Sequence, residues 1–198
     1  MQFDAIIVGG GIGGLATALS LQQAGFRVVI LERDENFDVR KQGYGLTLTN
    51  SLNGPLAKLG LLEECIQKNT PSKCHFIFDT HGNILGYYGR AIKELNAPLV
   101  SRDNKVKHRG SVGNLRIPRQ ELRRMIIERL SEGTIQWASR FISYEEKGTH
   151  VEVTYAIYPT QDNLTPPTPT LATISSTILV GADGIRSRVR SYKNKQDR

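Results

Sequence analysis

The chain opens with an apolar run, then closely spaced glycines, then a second apolar run. Residues 3–9, FDAIIVG, have the length and composition of a buried strand. Leu15 and Leu19 share one face of a predicted helix, which we expect to end at Gly25. Residues 27–32, RVVILE, predict a second strand with an apolar middle. This order of elements predicts a βαβ unit with two parallel strands.

The middle of the chain departs from simple alternation of strands and helices. A short strand is predicted at residues 45–49, and helices are predicted at residues 51–60 and 61–69. Residues 75–88, HFIFDTHGNILGYY, place apolar runs on both sides of a polar turn, which is typical of a β-hairpin. Residues 93–113 are mostly polar and predict a loop. We therefore expect an antiparallel insertion in this part of the chain.

The last part of the chain predicts one helix followed by strands. Residues 119–133 have an amphipathic pattern, and Gly133 is predicted to end that helix. Residues 159–170 form a proline-rich loop in this interpretation. Strands are predicted at residues 134–139, 140–147, 149–158 and 171–183, with the second and third joined as a hairpin across Lys147 and Gly148. The apolar end of the last strand predicts burial in the parallel sheet.

Composition and charge narrow the class of protein. A chain of 198 residues with 39% hydrophobic residues is long enough for one domain with its own core. The formal net charge is +7, but the segment from Arg186 onward has six basic residues against one acid and so carries +5 of it. The rest of the chain is close to neutral and has no basic face interleaved with aromatic residues. We therefore expect no nucleic-acid partner.

Neither the cysteines nor the N-terminal apolar run indicates an oxidising compartment or a membrane. Cys65 and Cys74 are not in C-x-x-C spacing and have no histidine cluster beside them, so reduced thiols and no metal site are expected. The N-terminal run lacks a basic leading region and is broken by five glycines. We expect no membrane segment and a cytoplasmic protein.

The glycines after the first strand form the pattern G-x-G-x-x-G at Gly9, Gly11 and Gly14. The first glycine permits a tight turn, the second lets a pyrophosphate approach the backbone, and the third lets the helix pack closely on the strand. Phosphates would lie at the helix N-terminus, where unpaired amides and the helix dipole favour an anion. A purely structural turn is the alternative interpretation of the same glycines.

An acid follows the glycine loop at the spacing expected for a dinucleotide site. Glu32 lies 18 residues after Gly14, at the end of the second predicted strand. A carboxylate in this position accepts hydrogen bonds from the adenosine ribose, and it repels a ribose 2′-phosphate. The loop and the acid together predict a bound dinucleotide other than NADP, and they leave NAD and FAD open.

Three separate segments resemble the class A FAD-dependent monooxygenases, the family of p-hydroxybenzoate hydroxylase. The first is the βαβ loop with Glu32-Arg33, continued by the glycine turn at residues 43–46. The second is residues 117–122, IPRQEL, which is similar to the R-x-x-L element of the family. The third is residues 179–190, LVGADGIRSRVR, which looks like the D-G-x-x-S-x-x-R signature. The resemblance implies a Rossmann-like FAD-binding domain of the α/β class, with a parallel sheet, antiparallel β-hairpin insertions and part of a substrate domain.

The resemblance also implies roles for individual residues. It implies that the three glycines hold the FAD pyrophosphate and that Glu32 binds the adenosine ribose. Arg33 and Gly45 would lie beside the cofactor, and Arg119 would contact its linker region. Asp183 would help to organise the cofactor and the access of the nicotinamide donor. Arg119 is alternatively a solvent-exposed helix arginine, since arginine is common at such positions. Asp183 is alternatively a helix N-cap, and the two roles of this aspartate can coexist.

The chemistry that the resemblance implies belongs to the cofactor. NAD(P)H would reduce FAD, and dioxygen would add to it as a C4a-hydroperoxyflavin. One oxygen atom would then pass to a small aromatic or polyene substrate. We therefore nominate no catalytic acid, base, nucleophile or metal ligand from this chain.

The resemblance covers almost the whole chain but lacks one element of the family. We expect residues 1–198 to form one FAD-binding domain that is incomplete, with residues 70–113 as the start of a substrate-domain insertion. The downstream Gly-Asp fingerprint of the family is not in the sequence, which predicts a C-terminally truncated member. Two alternatives remain open, namely a non-catalytic nucleotide-binding fragment and an NAD-dependent dehydrogenase.

Overall fold

The computed structural model describes residues 3–39, 43–70, 75–88, 114–159 and 168–196. The chain divides into two compact units, the first formed by Met1–Gly43 and Arg119–Arg198 and the second by Tyr44–Pro118. The prediction of one domain with an insertion at residues 70–113 stays a prediction, and residues 71–74 and 89–113 lie outside the described ranges.

The helices and strands follow the predicted order, with two additions that the sequence analysis did not predict, a strand at Leu115–Pro118 and a helix at Arg188–Gln196. The strands are β1 Phe3–Val8, β2 Val28–Leu31, β3 Gly45–Leu48, β4 His75–Phe78, β5 Ile84–Tyr88, β6 Leu115–Pro118, β7 Ile135–Gln136, β8 Ser139–Glu146, β9 Val151–Ile157 and β10 Thr170–Gly181. The helices are α1 Ile12–Gln23, α2 Pro55–Lys58, α3 Leu62–Gln67, α4 Arg119–Ile127 and α5 Arg188–Gln196, with a 3₁₀ turn at Phe37–Val39.

A six-stranded sheet in the order β7-β2-β1-β10-β9-β8 organises the first unit. β1 pairs in parallel with β2 and with β10, and β2 pairs in parallel with β7. β9 pairs antiparallel with β10 and with β8. Gly25, at a φ of +87°, follows the end of α1 as predicted. The α/β class, the parallel βαβ unit and the hairpin across Lys147 and Gly148 are all confirmed.

One face of this sheet carries a hydrophobic core cluster of the first unit. Its buried members are Ile6, Val8, Val29, Leu31, Phe141, Tyr144, Val151, Val153 and Tyr155. Helix α5, which the sequence analysis did not predict, closes part of this face through Val189 and Tyr192. The ring centroid of Tyr192 lies 5.2 Å from that of Tyr144. An aromatic contact of this kind explains why a segment with so many lysines and arginines is held against the sheet.

The predicted burial of the apolar end of β10 is only partly confirmed. Leu179 is partly buried and packs against the hydrophobic core of the first unit. Ile178 pairs in register with the buried Ala5 of β1, yet the side chain of Ile178 is 54% exposed. Helix α1 packs on β1 and β2, one strand further along the sheet.

The predicted end of the second amphipathic helix is also wrong. α4 ends at Ile127 and continues as turns in which the N–H of Arg129 donates to the carbonyl of Ile126 at 3.1 Å. Gly133 has a φ of +76° but belongs to a separate turn before β7. Gly133 therefore lies in a turn, as its residue type indicates, but this turn comes after the one that ends the helix.

The second unit contains two antiparallel strand pairs, β3 with β6 and β4 with β5. The predicted hairpin at residues 75–88 is confirmed, and Asp79 organises its turn. The Oδ1 atom of Asp79 accepts hydrogen bonds from the N–H groups of His81 and Asn83, each at 2.8 Å. The hydrogen bond from the Asn83 side chain, together with these backbone bonds, holds the pKa of Asp79 below its ordinary value. The predicted loop at residues 93–113 lies outside the described residues.

The described ranges hold neither a membrane-spanning helix nor a cluster of metal ligands. No helix in them is both long enough and apolar enough to cross a bilayer. No group of three or more histidine, cysteine, aspartate or glutamate side chains in them is arranged to hold a metal ion.

Candidate functional site

A cleft of about 210 Å³ opens in the first unit at the carboxyl ends of β1 and β2. In open sheets with parallel strands, ligands bind in a crevice outside the carboxyl ends of these strands. The cleft is lined by the glycine loop after β1, the segment after β2, the start of α4, the start of β8 and the Asp-Gly turn after β10. Five segments that are distant in sequence therefore meet in one place.

The glycine loop is shaped by two positions that exclude any side chain. Gly9 has a φ of +108°, and a Cβ atom added there would lie 2.6 Å from the carbonyl oxygen of Ala182. A Cβ atom added to Gly14 would overlap the carbonyl oxygen of Gly9. Only glycine at both positions lets α1 start directly beneath the loop. The turn and the close packing predicted for these two residues are both seen in the structure.

Gly11 has the opposite environment, because a Cβ atom added there would meet nothing within 4 Å. Gly11 is the N-cap of α1, and no side chain caps that helix end. The first amides of a helix have no carbonyl one turn earlier to bond, so they need another acceptor. The positive end of the helix dipole adds to the attraction for an anion. The loop thus provides an open cradle that suits a phosphate group.

Glu32 lies beside this loop with only 7% of its surface exposed. Its Oε2 atom accepts the N–H of Gly10, and its Oε1 atom accepts the N–H of Asp34 at 3.0 Å. A carboxylate has about four lone-pair positions, so Glu32 keeps acceptor capacity for hydroxyl groups. Gly10 was missed by the sequence analysis. A Cβ atom added to Gly10 would lie 2.8 Å from Oε2 of Glu32, so a side chain here would displace that carboxylate.

Asp183 uses one carboxylate oxygen for structure and leaves the other without a bond. Its Oδ2 atom accepts the N–H groups of Arg188 at 2.6 Å and of Val189 at 3.3 Å, which caps α5. The Oγ atom of Ser187 accepts the N–H of Arg190 at 3.0 Å and completes the cap. The Oδ1 atom of Asp183 is buried and has no hydrogen-bond partner within the described ranges. A buried oxygen in this state favours a ligand that brings a donor to it.

Arginine is the dominant charged residue of the cleft. Six arginines line it, against the three carboxylates of Glu32, Asp34 and Asp183. Arg33 and Arg119 were predicted here, and Arg119 is half-buried at the first residue of α4. The others are Arg123, Arg140, Arg186 and Arg188. The excess of guanidinium groups favours a ligand with more than one negative charge.

Arg123 is the least exposed of these arginines, and a signal for it was present in the sequence. It lies three residues before Ile126 on the buried face of α4, whose other members are Leu122 and Met125. A charged residue on an apolar helix face is unusual unless it is paired inside the protein. The helical spacing could therefore have identified Arg123 as a buried charge.

Two further residues of the matched segments lie outside the cleft lining. Gly45 belongs to the second unit, where it is the exposed first residue of β3, and its role beside the cofactor stays a prediction. Arg190, the last arginine of the D-G-x-x-S-x-x-R segment, is exposed and donates from Nη2 to the carbonyl of Ile185 at 2.6 Å. Arg190 therefore supports the turn before α5.

Comparison with known proteins gives one family match and many relatives. Residues 2–195 match the family described as FAD binding domain. The chain is 29% identical to a Bacillus subtilis protein, YetM, that carries the name of an FAD-dependent monooxygenase, over 93% of this chain and 43% of that protein. It is 30% identical to the phenazine 1,6-dicarboxylic acid hydroxylase PhzS of Lysobacter antibioticus, over 96% of this chain and 42% of the relative. The chain thus spans about two fifths of the length of these relatives.

Solved structures share the fold at low sequence identity. The p-nitrophenol 4-monooxygenase PnpA from Pseudomonas putida superposes with a TM-score of 0.71 and 20% identity, covering 97% of this chain and 44% of that one. The flavin-dependent monooxygenase PieE, solved with FAD and substrate, gives a TM-score of 0.69 and 21% identity, covering 98% and 32%. At these identities the likeness establishes the fold.

We predict that Gly14→Ala destabilises the first unit whereas Gly13→Ala does not. The new methyl group at residue 14 would overlap the carbonyl oxygen of Gly9, and at residue 13 it would enter open space. Alanine at residue 13 is expected to stabilise α1 by up to about 1 kcal/mol, since it is the better helix former. Urea unfolding of both variants measures the difference. Equal stabilities would show that α1 does not pack on the loop as closely as described.

Proposed function

Because this chain belongs to the FAD binding domain family, we propose that it binds FAD in the cleft of its first unit, as the cofactor-binding part of a flavin-dependent monooxygenase. The family match confirms the resemblance drawn from the three sequence segments. The structural observation that carries the proposal is the open, uncapped start of α1 with the buried carboxylate of Glu32 beside it.

The residues of the cleft fit the parts of FAD in turn. The pyrophosphate would lie at the start of α1, with Gly11 supplying space and the arginines balancing its charge. Glu32 would accept the hydroxyl groups of the adenosine ribose with its remaining lone pairs. The unbonded Oδ1 of Asp183 would accept a donor from the cofactor, while Oδ2 continues to cap α5. Arg119 would donate to oxygens of the cofactor linker.

The work of this chain's own residues is to bind and orient. When bound, FAD supplies two-electron redox chemistry and activation of dioxygen, which no side chain can supply. We propose NAD(P)H as the electron donor, and dioxygen and a small organic molecule as the substrates. The names of the relatives, which include a phenazine hydroxylase and FAD-dependent monooxygenases, support an aromatic or similarly conjugated substrate.

An NAD-dependent dehydrogenase is less favoured as the function. A nicotinamide dinucleotide site needs the glycine loop and Glu32 but gives no reason for a second acid with a buried, unbonded oxygen in the same cleft.

Purification of the chain and titration with FAD distinguish the monooxygenase, the non-catalytic fragment and the dehydrogenase. Stoichiometric yellow flavin with NAD(P)H-dependent oxygen uptake supports the monooxygenase, and flavin binding without oxygen uptake supports a non-catalytic fragment. Nicotinamide binding with no flavin would contradict the proposal.

We predict that Gly11→Val abolishes FAD retention while leaving the fold intact. The valine side chain would meet no protein atom near its Cβ, so it would occupy only the space proposed for the pyrophosphate. The matched control is Ser20→Val, which puts the same side chain on an exposed position of α1, about 13 Å further along the helix. Visible absorbance of the desalted proteins reports retained flavin. Full retention by Gly11→Val would exclude the assigned place of the pyrophosphate.

We further predict that Glu32→Gln weakens FAD binding by roughly tenfold, as expected when a charge-assisted hydrogen bond becomes a neutral one. The amide keeps the size of the side chain but loses the charge and half of its acceptor capacity. Glu35→Gln makes the same change at a nearby exposed acid and should leave the dissociation constant unchanged. Fluorescence titration of FAD measures both. A Glu32→Gln protein with undiminished affinity would contradict the ribose contact.

A further inference from the structure

Arg123 is a buried cation, with 3% of its surface exposed, that lies against the glycine loop and belongs to the lining of the cleft. Its Nη2 atom donates to the carbonyl of Gly10 at 3.3 Å, and its Nη1 atom donates to Oε1 of Gln120 at 2.9 Å. Its guanidinium carbon lies 5.2 Å from the ring centroid of Phe37. Burial of a charged group is costly and persists only where the group is well paired. The folded structure therefore holds a buried positive charge against the Gly10 carbonyl.

Two consecutive peptide groups of the loop are held by buried charges of opposite sign. The N–H of Gly10 donates to Glu32, and the carbonyl of Gly10 accepts from Arg123. These groups belong to different peptides, Gly9-Gly10 and Gly10-Gly11. A run of glycines has no side chains to restrict its backbone torsions, so such a loop needs external contacts to keep one conformation. Glu32 and Arg123 supply those contacts from two different elements.

The second of these contacts sets the direction of the Gly11 amide. A trans peptide is planar, and its carbonyl and N–H groups point in opposite directions. Once the Gly10 carbonyl is bound to Arg123, the Gly11 N–H must point away from Arg123. Gly11 is the open N-cap of α1, where the proposed pyrophosphate lies. A cation on the carbonyl also polarises the peptide and makes its N–H a stronger donor.

We infer that Arg123 is a positioning residue for the dinucleotide, which fixes and polarises the Gly10-Gly11 peptide so that the Gly11 N–H can bind a phosphate oxygen. This inference deepens the proposed function and rests on it. Arg123 acts through the backbone, whereas Arg33 and Arg119 are assigned direct contact. Within the described residues, the Gly10 carbonyl accepts its hydrogen bond from Arg123.

Arg124 provides a matched control on the same helix. Its guanidinium carbon lies 5.5 Å from the same Phe37 ring, but the side chain is exposed and pairs with Glu121 at 3.6 Å. A substitution at Arg124 therefore removes a guanidinium from the same ring and helix without touching Gly10. Any effect specific to Arg123 must come from its buried contacts.

The test compares Arg123→Gln and Arg123→Lys with Arg124→Gln in the full chain. We expect Arg123→Gln to raise the dissociation constant for FAD roughly ten- to a hundredfold, the range of a hydrogen bond to a charged group. Arg123→Lys keeps a positive donor and should recover part of this loss, and Arg124→Gln should bind as the original chain does. In the absence of FAD, the amide resonance of Gly11 should shift in both Arg123 variants and not in the Arg124 variant.

The two readouts separate this inference from the proposed function. If the original chain does not bind FAD, the proposed function fails, while the Gly11 resonance still reports whether Arg123 controls that peptide. If Arg123→Gln does not fold, Arg123→Lys carries the comparison. An unmoved Gly11 resonance in a folded Arg123 variant overturns the inference. So does a loss of affinity no larger than that of Arg124→Gln.

Discussion

The close approach of α1 to the loop after β1 is the contact on which the rest of the site depends. Gly14 lies so near the Gly9 carbonyl that no side chain fits between them, and Gly9 in turn lies against the backbone of Ala182. This packing brings the start of the helix to the carboxyl edge of the sheet with its first amides unbonded. An anion there completes hydrogen bonds that the protein cannot complete alone. The proposed place of the cofactor phosphates therefore depends on how tightly one helix packs.

Buried charges keep this loop in place. Glu32 and Arg123 hold consecutive peptides of the glycine loop, and Asp183, whose backbone lies beside Gly9, caps α5. Each of these charged side chains bonds at least one backbone group, so the shape of the backbone and the electrostatics of the cleft are set together. The surrounding arginines then give the cleft an excess of positive charge that suits a pyrophosphate.

The elements that sequence analysis predicted are those with local signals. The apolar runs of β1 and β2, the glycine loop and the spacing of Glu32 identify the βαβ unit because each depends on residues close together in the chain. The misses depend on contacts between distant segments. Helix α5 is held by the packing of Tyr192 on Tyr144, and the exposure of Ile178 depends on where α1 lies. The partner of Arg123 is 113 residues away, which no periodicity can show.

We place the contact with the cofactor phosphates at the start of α1. Titration of the ¹⁵N-labelled chain with FAD, followed by amide resonances, examines this contact residue by residue. We expect the amides of Gly11, Ile12 and Gly13 to move most, with the same dissociation constant as the flavin fluorescence. Resonance changes confined to other parts of the chain, with these three amides unmoved at saturation, would contradict it.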